Sequence, residues 1–509
     1  MQIKTSGNYL HIIPEAGDQL NLNYLLGWRR KKGDPKIVAE DNVVNRIVLG
    51  QPALRNLTST YIWDDNDVDY EFDRGLKNYQ ILDVKKMCGL TACLNANPMG
   101  LGKTIETVRW LDDVLWRTTT NPIVLIVCPK IVRQQWVDQI KKWWGKDATI
   151  YEGQRTVGHG IWIVNYDKLR NERTLMRFKS FLWDALVLDE AHKIKSRTAK
   201  QTIAVNGIPA ARKVALTGTP ILRYVDDLWS ILHFLDWRYS GISYWNFVNY
   251  FCHVQQTPWG NKITGLSEDP AKVAMLNKLL SLVAVRNNAV EVAHGKTTEV
   301  VRVPMSKAQR ELYKQEKQLL LDDLPENCTI SNGAVLTTRL RQTTSWPGLF
   351  LGAKEPGPKF EWILETFMNN PDESFVVFSA FEQTVSALTQ YLNDNGVACV
   401  KITGQQDART NLASKDLFTD KTARVLAGTI GAMGQGFDGL QQVSRLMIFI
   451  DRDWSPEIMA QAEDRLHRMG QESPVNIYYL ECQGSFDQHV GRINKNKADD
   501  IREALNNDE

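Results

Sequence analysis

Two long stretches of the chain alternate strand-length apolar runs with segments of helical period, and a third stretch between them breaks that alternation. In the first, the runs at 123–128, 161–165, 185–189 and 213–217 are rich in Val, Ile and Leu, and helix-period segments such as 132–143 separate them. Apolar runs of this kind belong to strands buried on both faces, as in a parallel sheet covered by helices. A second block follows a Gly/Pro-rich loop at 352–358, with strands expected at 375–379, 397–402, 424–428, 446–450 and 475–480. From about 235 to 350 the pattern is mostly helical, for example over 306–321 and 335–341. Residues 1 to about 75 carry short apolar runs at 10–14 and 43–49 bounded by turns, which predicts a small strand-rich domain, and end in an acidic stretch over 63–73. The expected fold is α/β. Two parallel-sheet lobes at 76–236 and 356–509 flank a helical insert at 237–355, and a small strand-rich N-terminal domain with an acidic linker occupies 1–75.

Composition narrows this picture without changing it. At 509 residues the chain is too long for one ordinary core. No apolar run is long enough to span a bilayer, and the first residues lack the apolar core of a signal peptide. The seven cysteines are scattered and odd in number, forming neither a disulfide framework nor a zinc-ligand pattern, so a reducing intracellular compartment is expected. A net charge of +2 is nearly neutral, so any surface for a polyanion must be local. Tryptophans such as Trp143, Trp162 and Trp362 sit in apolar periodic segments and read as core.

The chemistry begins at Asn97-Pro98-Met99-Gly100-Leu101-Gly102-Lys103-Thr104, which fits Gly-x-x-x-x-Gly-Lys-Ser/Thr except that Asn97 replaces the first glycine. Glycines let backbone amides turn inward on phosphates, and the helix-period segment that follows offers its positive end. Lys103 can reach the terminal phosphates, and Thr104 can ligate Mg²⁺. A Gly-Lys-Thr turn alone is also found in ordinary loops. Asp189-Glu190-Ala191-His192, a DEAH sequence, favours the nucleotide reading because an apolar strand delivers Asp189 at its C-terminal end, where α/β sheets place ligands. There Asp189 can hold Mg²⁺ through water while Glu190 orients the attacking water. His192 either links this site to the next motif or packs locally.

Taken together these residues resemble superfamily 2 helicases, and within them the SWI2/SNF2 branch of DNA translocases in a compact bacterial or bacteriophage form. The likeness runs from Leu76 to about Gly491. Leu76-Lys77-Asn78-Tyr79-Gln80 is similar to an adenine-reading Q motif, with Lys77 and Gln80 as nucleotide contacts. Val127-Cys128-Pro129-Lys130 followed by Trp136 resembles motif Ia, and Leu216-Thr217-Gly218-Thr219-Pro220 resembles motif III. Leu336-Thr337-Thr338-Arg339-Leu340-Arg341-Gln342 is similar to a signature particular to this branch. Val376-Val377-Phe378-Ser379-Ala380-Phe381 resembles motif IV, Gly434-Gln435-Gly436-Phe437-Asp438 motif V, and Gln461 to Gln471 motif VI. Three departures stand out. Asn97-Pro98 replaces a usual acidic pair, Met433 and Asp438 replace commoner Gly and Asn, and Arg286-Asn287-Asn288 replaces a more basic run.

The resemblance implies two RecA-like lobes, ATP and Mg²⁺ as cofactors, and a DNA-dependent ATPase that moves on double-stranded DNA and remodels protein–DNA, repair or recombination structures. The nucleotide set is Lys77, Gln80, Met99, Gly100, Leu101, Gly102, Lys103, Thr104 and Gly436, with Thr104 and Asp189 on the metal. Lys103, Asp189, Glu190, Arg465 and Arg468 form the catalytic set, and His192, Thr217, Thr219 and Gln461 the coupling set. Arg465 and Arg468, three residues apart, are expected on one face of a helix, where guanidinium groups can stabilise phosphoryl charge. DNA contacts are expected mainly at phosphates and without sequence preference, from Lys130, Asn165, Ser379, Gly404 and Thr429. The basic turn Arg29-Arg30-Lys31-Lys32 either touches DNA or is a solvated face, and the acidic linker is either a strand mimic or plain linker. A monomer is expected, with protein partners reached through the N-terminal domain, in bacterial or virus-infected cytoplasm, or in the nucleus if the source is eukaryotic. The competing functions are a strand-separating DNA or RNA helicase and a nucleotide-gated DNA-binding scaffold with weak turnover.

Overall fold

The computed structural model describes residues 1–14, 22, 25–30, 36–49, 75–116, 119, 121–221, 225–257, 260–287, 295–322, 330–352, 355–433, 439–468 and 470–505. The chain forms two compact units, 1–289 with 499–509, and 290–498. Each is built around a parallel sheet, so the α/β class expected from the apolar runs is met.

The first unit opens with four short antiparallel strands, β1 (Gln2–Ser6), β2 (Tyr9–Ile13), β3 (Arg29–Arg30) and β4 (Ile37–Glu40), in the order β1-β2-β4-β3. The apolar run at 43–49, expected as a strand, instead forms the helix Val43–Val48. Its start is fixed by side chains. Asn42 Oδ1 accepts from the Asn45 N–H at 2.9 Å, and Asn45 Nδ2 donates to the carbonyls of Leu26 and Glu40, both at 2.8 Å. Such a cap overrides the strand propensity of Val and Ile in so short a segment. Arg29 and Arg30 form an edge strand rather than a turn, with the Arg29 guanidinium 5.1 Å from the Tyr9 ring centre. Lys31, Lys32 and the acidic stretch lie outside the described residues.

The main sheet of this unit comprises β5 (Ala92–Asn95), β6 (Ile123–Cys128), β7 (Ala148–Ile150), β8 (Gly160–Asn165), β9 (Trp183–Asp189), β10 (Ala210–Leu216) and β13 (Ala284–Val285). Their order is β13-β5-β10-β9-β6-β8-β7, parallel throughout. Two apolar layers, one led by Leu125, Val127, Leu186 and Leu188 and the other by Val124, Ile126, Ala185 and Val187, cover its faces. Adjacent residues of β6 and β9 therefore enter opposite cores, which explains their unbroken apolar sequence. The helix Arg133–Trp144 packs on one layer through Trp136 and Ile140 and stops at Gly145, whose φ of 68° suits glycine. Trp143 and Trp162 are half-buried at the margins of these layers rather than inside them.

The insert is not helical throughout. It contains a hairpin, β11 (Cys252–Thr257) with β12 (Gly260–Leu266), and its strand β13 completes the first sheet. A further strand, β14 (Lys296–Val303), joins the second unit, so the two sheets do not stop at residues 236 and 356. Seven of the eight residues of β14 have β-branched or charged side chains that are partly or wholly exposed. Such an edge strand lacks the apolar alternation that would announce it.

The second unit's sheet adds β15 (Phe375–Ser379), β16 (Cys399–Ile402), β17 (Val425–Thr429), β18 (Leu446–Phe449) and β19 (Val475–Cys482), in the parallel order β14-β19-β18-β15-β17-β16. Trp362 is half-buried there, with its ring 5.7 Å from that of Tyr478. The six cysteines among the described residues are buried and unbridged. Among the described residues no helix is long and apolar enough to cross a membrane.

Candidate nucleotide site

Because the first sheet is parallel, the carboxyl ends of its strands share one edge, where α/β proteins bind ligands. Residues 96–102 leave β5 at that edge and turn into the helix Lys103–Leu111. Gly100 and Gly102 take φ values of 80° and 89°, a left-handed backbone that L side chains resist. At Gly102 the space is closed as well, since a Cβ would lie 2.4 Å from Gln80 Nε2. The Lys103 ammonium donates to the carbonyls of Asn97 (2.9 Å) and Pro98 (3.2 Å), which hold it at the mouth of the loop. These are neutral acceptors, and phosphate oxygens would outcompete them through charge-assisted bonds. Thr104 follows in the first helical turn, at the kind of helix N-terminus that serves as an anion site.

Neighbouring motifs brace this loop. The Leu101 carbonyl accepts from Tyr79 Oη and Gln80 Nε2, both at 2.8 Å, while Gln80 Oε1 accepts from the Lys77 N–H at 2.8 Å. Gln80 is buried, and part of its amide is committed to the loop; Lys77 is exposed at the start of the helix Asn78–Cys88. Gly218 is a member of the site that the sequence reading did not single out. A Cβ there would lie 3.0 Å from Met99 Cγ and 3.4 Å from Lys103 Nζ, so motif III presses directly on the loop. Its position between Thr217 and Thr219 was the available signal.

Asp189 ends β9 two strands from β5 on the same edge. Its Oδ2 accepts from Trp136 Nε1 at 2.8 Å and its Oδ1 from the Glu190 N–H at 2.9 Å. Tyr166 Oη donates to the Asp189 carbonyl at 2.7 Å, fixing the strand end. Burial and the adjoining Glu190 carboxylate push the Asp189 carboxyl above the usual carboxylate range. A divalent cation would offset that repulsion, and the hard oxygens of Asp189 and Thr104 suit Mg²⁺. Trp136 was visible in the sequence only as part of a motif; its indole donor makes it an orienting partner of Asp189.

Glu190 adopts φ 53°, ψ 52°, a left-handed conformation that is unfavourable by roughly 1–2 kcal/mol for a residue with a Cβ. The turn redirects the chain after Asp189. His192 Nδ1 lies 3.2 Å from Glu190 Oε2 and 3.4 Å from Thr217 Oγ1, and Thr217 Oγ1 accepts from the Thr219 N–H at 3.1 Å. Glu190, His192, Thr217 and Thr219 therefore form one polar chain from the strand end to motif III.

Beneath the loop lies a buried polar cluster. Glu106 Oε2 accepts from Asn95 Nδ2 at 2.6 Å, and both its oxygens lie 3.2 Å from Asn97 Nδ2. Burial pushes the Glu106 carboxyl up to about 7, against the Asn95 bond and with the Asp83 charge adding to the rise. A carboxyl with a raised folded-state value contributes stability that is full below its ordinary value of 4.5 and is lost as pH rises through about 7. Glu106→Gln is therefore expected to melt higher than the parent protein at about pH 8 but not at about pH 5, with a differential on the order of 3 kcal/mol. Parallel melting curves of the two proteins across that range would refute it.

In the second unit the helix Pro456–Glu463 ends before the arginines expected on its face. Glu463 is drawn to Tyr479 Oη and Lys296, and the N–H groups of Arg465 and Leu466 bond back three residues, to Ala462 and Glu463, in tightened turns. Arg465 and Arg468 thus lie on a turn, not on a helix face. Gln471 pins the far end by donating to the Ser444 and Leu466 carbonyls. Gln461 and Arg465 are buried, and Arg468 is half-buried. Gly436 and the rest of motif V lie outside the described residues.

Two expected DNA contacts are corrected by burial. Ser379 is 0% exposed and donates to Asp451 Oδ2 at 2.6 Å; Asn165 is 4% exposed. Within their sheets Ser379 pairs with Thr429 and Asn165 with Cys128. Lys130 and Gly404 are exposed and Thr429 is half-buried. Ser379 instead belongs to an internal anchor. Asp451 Oδ2 also accepts from Ser345 Oγ at 2.8 Å, and Arg341 Nη2 donates to the Arg452 carbonyl at 2.5 Å with its guanidinium 5.1 Å from the Phe381 ring and 5.4 Å from Trp454. The signature around Arg339–Gln342 therefore fastens the strand end that leads into motif VI.

Comparison with known proteins identifies the family. The model of the SNF2-related domain matches residues 76–348, and that of the helicase conserved C-terminal domain matches residues 358–470. The chain is 27% identical over 457 residues to the probable ATP-dependent DNA helicase CHR12 of Arabidopsis thaliana, covering 82% of this chain and 40% of that protein. It is 24% identical over 453 residues to the human SWI/SNF-related matrix-associated actin-dependent regulator of chromatin subfamily A member 1, covering 82% and 42%. It therefore spans about two fifths of the length of these relatives. Among solved structures, the Sulfolobus solfataricus SWI2/SNF2 ATPase core in complex with dsDNA aligns with a TM-score of 0.40 at 22% identity, covering 84% of this chain and 96% of that one.

Proposed function

We propose that this chain, which belongs to the SNF2-related family, hydrolyses ATP to move along double-stranded DNA. The observation that carries the reading is the joining of loop, strand end and motif III in one first-lobe assembly. Lys103 sits at the loop mouth, Gly218 presses on it, and the Glu190–His192–Thr217 chain runs from the base to the same motif. Such an assembly can hold phosphates and report their presence to residues that do not touch them. The family membership and the DNA-helicase description of the Arabidopsis relative support DNA as the track.

In this mechanism Lys103 and the 99–102 amides bind the phosphates, and Glu190 orients the attacking water and takes its proton. Mg²⁺, held by Thr104 and Asp189, supplies charge neutralisation of the phosphates when bound. Trp136 keeps the Asp189 carboxylate in place, and His192 with Thr217 relays the state of Glu190 to motif III. Arg465 and Arg468 supply positive charge to the transferring phosphoryl group. Lys130, Gly404 and Thr429 are the remaining side of the proposal, contacts to the DNA backbone. The task served is remodelling of protein–DNA, repair or recombination structures, in a bacterial or bacteriophage setting.

ATP turnover measured without nucleic acid and with single-stranded DNA, double-stranded DNA or RNA tests the reading. Double-stranded DNA is expected to stimulate several-fold more than the others and to support displacement of a third strand from a triplex without separation of the duplex. Stimulation by single strands or RNA, with duplex unwinding, would identify a strand-separating helicase. Feeble turnover under every condition would identify a nucleotide-gated scaffold.

A further inference from the structure

Asn97 and Asn287, 190 residues apart in the chain, are bonded to each other. The Asn287 N–H donates to Asn97 Oδ1 at 2.8 Å, and Asn287 Nδ2 lies 3.2 Å from the same oxygen. Asn287 Nδ2 also donates to Asp83 Oδ2 at 2.5 Å, an oxygen that accepts from Asn97 Nδ2 at 2.7 Å. Asn97 is 0% exposed, and its own carbonyl receives the Lys103 ammonium. One residue thus has its amide oxygen held by Asn287, its amide nitrogen shared between Asp83 and Glu106, and its backbone carbonyl on the phosphate-loop lysine. The contact is built into the sheet. Val285 pairs with Asn95, and the Ala96 N–H donates to the Val285 carbonyl at 2.8 Å, so residues 285–287 run alongside 95–97.

We propose that Asn287 is a positioning residue for ATP turnover, setting the phosphate loop through Asn97 and tying it to the backbone that leaves the first lobe. An acid at 97 would stand beside the Asp83 and Glu106 carboxylates and would require a cation opposite it. Two amides satisfy the same donors and acceptors without adding charge to a buried cluster, where unpaired charge is expensive. Asn97 and Asn287 therefore form one neutral unit, and each depends on the other to present its amide the right way round.

The inference rests on the reading of the loop as an ATP site, and its test separates the two. Steady-state kcat and KM for ATP, with and without double-stranded DNA, and binding of a fluorescent ATP analogue are measured for Asn97→Ala, Asn287→Ala and the double variant, with melting curves as the control for folding. Each single variant is expected to lower kcat/KM, and the pair is expected to be non-additive by at least about twofold, the lower end for residues sharing a hydrogen-bond network. The ratio of DNA-stimulated to basal kcat should fall in Asn287→Ala, a change that a merely structural role would not produce. Asn287→Asp sets carboxylate against carboxylate at Asp83 and is expected to be worse than Asn287→Ala. Adding Asp83→Asn restores a donor–acceptor pair and should recover activity in part. Parent-like kinetics in Asn287→Ala, strict additivity, or no recovery in the exchanged pair would overturn the positioning role. A parent protein that neither binds nor hydrolyses ATP would instead overturn the ATP-site reading.

Discussion

Glu190→Gln is expected to lower ATP turnover by about 10²–10⁴-fold, the contribution of a positioned general base, while ATP still binds. The substitution preserves side-chain shape and the left-handed backbone at φ 53°, which a change to a β-branched residue would not tolerate. It removes only the acceptor that can take a proton from water. Lys103→Ala acts at a different step. It deletes the ammonium now held by the Asn97 and Pro98 carbonyls, so both nucleotide affinity and turnover should collapse. Single-turnover hydrolysis with saturating double-stranded DNA, alongside binding of a fluorescent ATP analogue, distinguishes the two patterns. Turnover near the parent rate in Glu190→Gln would remove Glu190 from the water-orienting role and leave Asp189 as the nearest alternative base.

Much of this site was legible because its backbone demands are written in residue types. Glycine at 100 and 102 anticipates the left-handed turns, and a Val/Leu run ending in Asp189-Glu190 anticipates a carboxylate at a strand edge. The central strands β6 and β9 were equally plain, because burial on both faces leaves an unbroken apolar run. What the sequence hid depends on partners far away in it. Strand β5 reads Ala-Cys-Leu-Asn, too small and too short to stand out, although it lies between β13 and β10 and launches the phosphate loop. Trp136 looks like any apolar helix position until its indole meets Asp189, 53 residues on. The cluster joining Asp83, Asn97, Glu106 and Asn287 spans separations up to 204 residues, and no local period could announce it. The burial of two of the five expected DNA contacts was hidden for the opposite reason. A strand's last residue reads as edge, yet Ser379 and Asn165 are still within the ladder.

Replacing Arg468 with alanine is expected to lower kcat by about 10³–10⁵-fold, the range for a guanidinium acting on a transferring phosphoryl group, with a much smaller effect on ATP affinity. Lysine should rescue poorly, because it keeps the charge but not the planar fork. Arg465→Ala carries a second penalty. That side chain is buried in its own lobe, so its loss is expected to lower the melting temperature of the second unit as well as turnover. Arg468 is half-buried on the turn beyond Glu463, so its loss should lower the melting temperature less than that of the buried Arg465. The two variants thus separate by stability even if they coincide in rate. If Arg468→Ala kept parent kcat under saturating double-stranded DNA, Arg468 would contribute no charge to hydrolysis. The chemistry would then belong to Lys103, Asp189, Glu190 and Arg465, and Arg468 would act only in coupling turnover to movement.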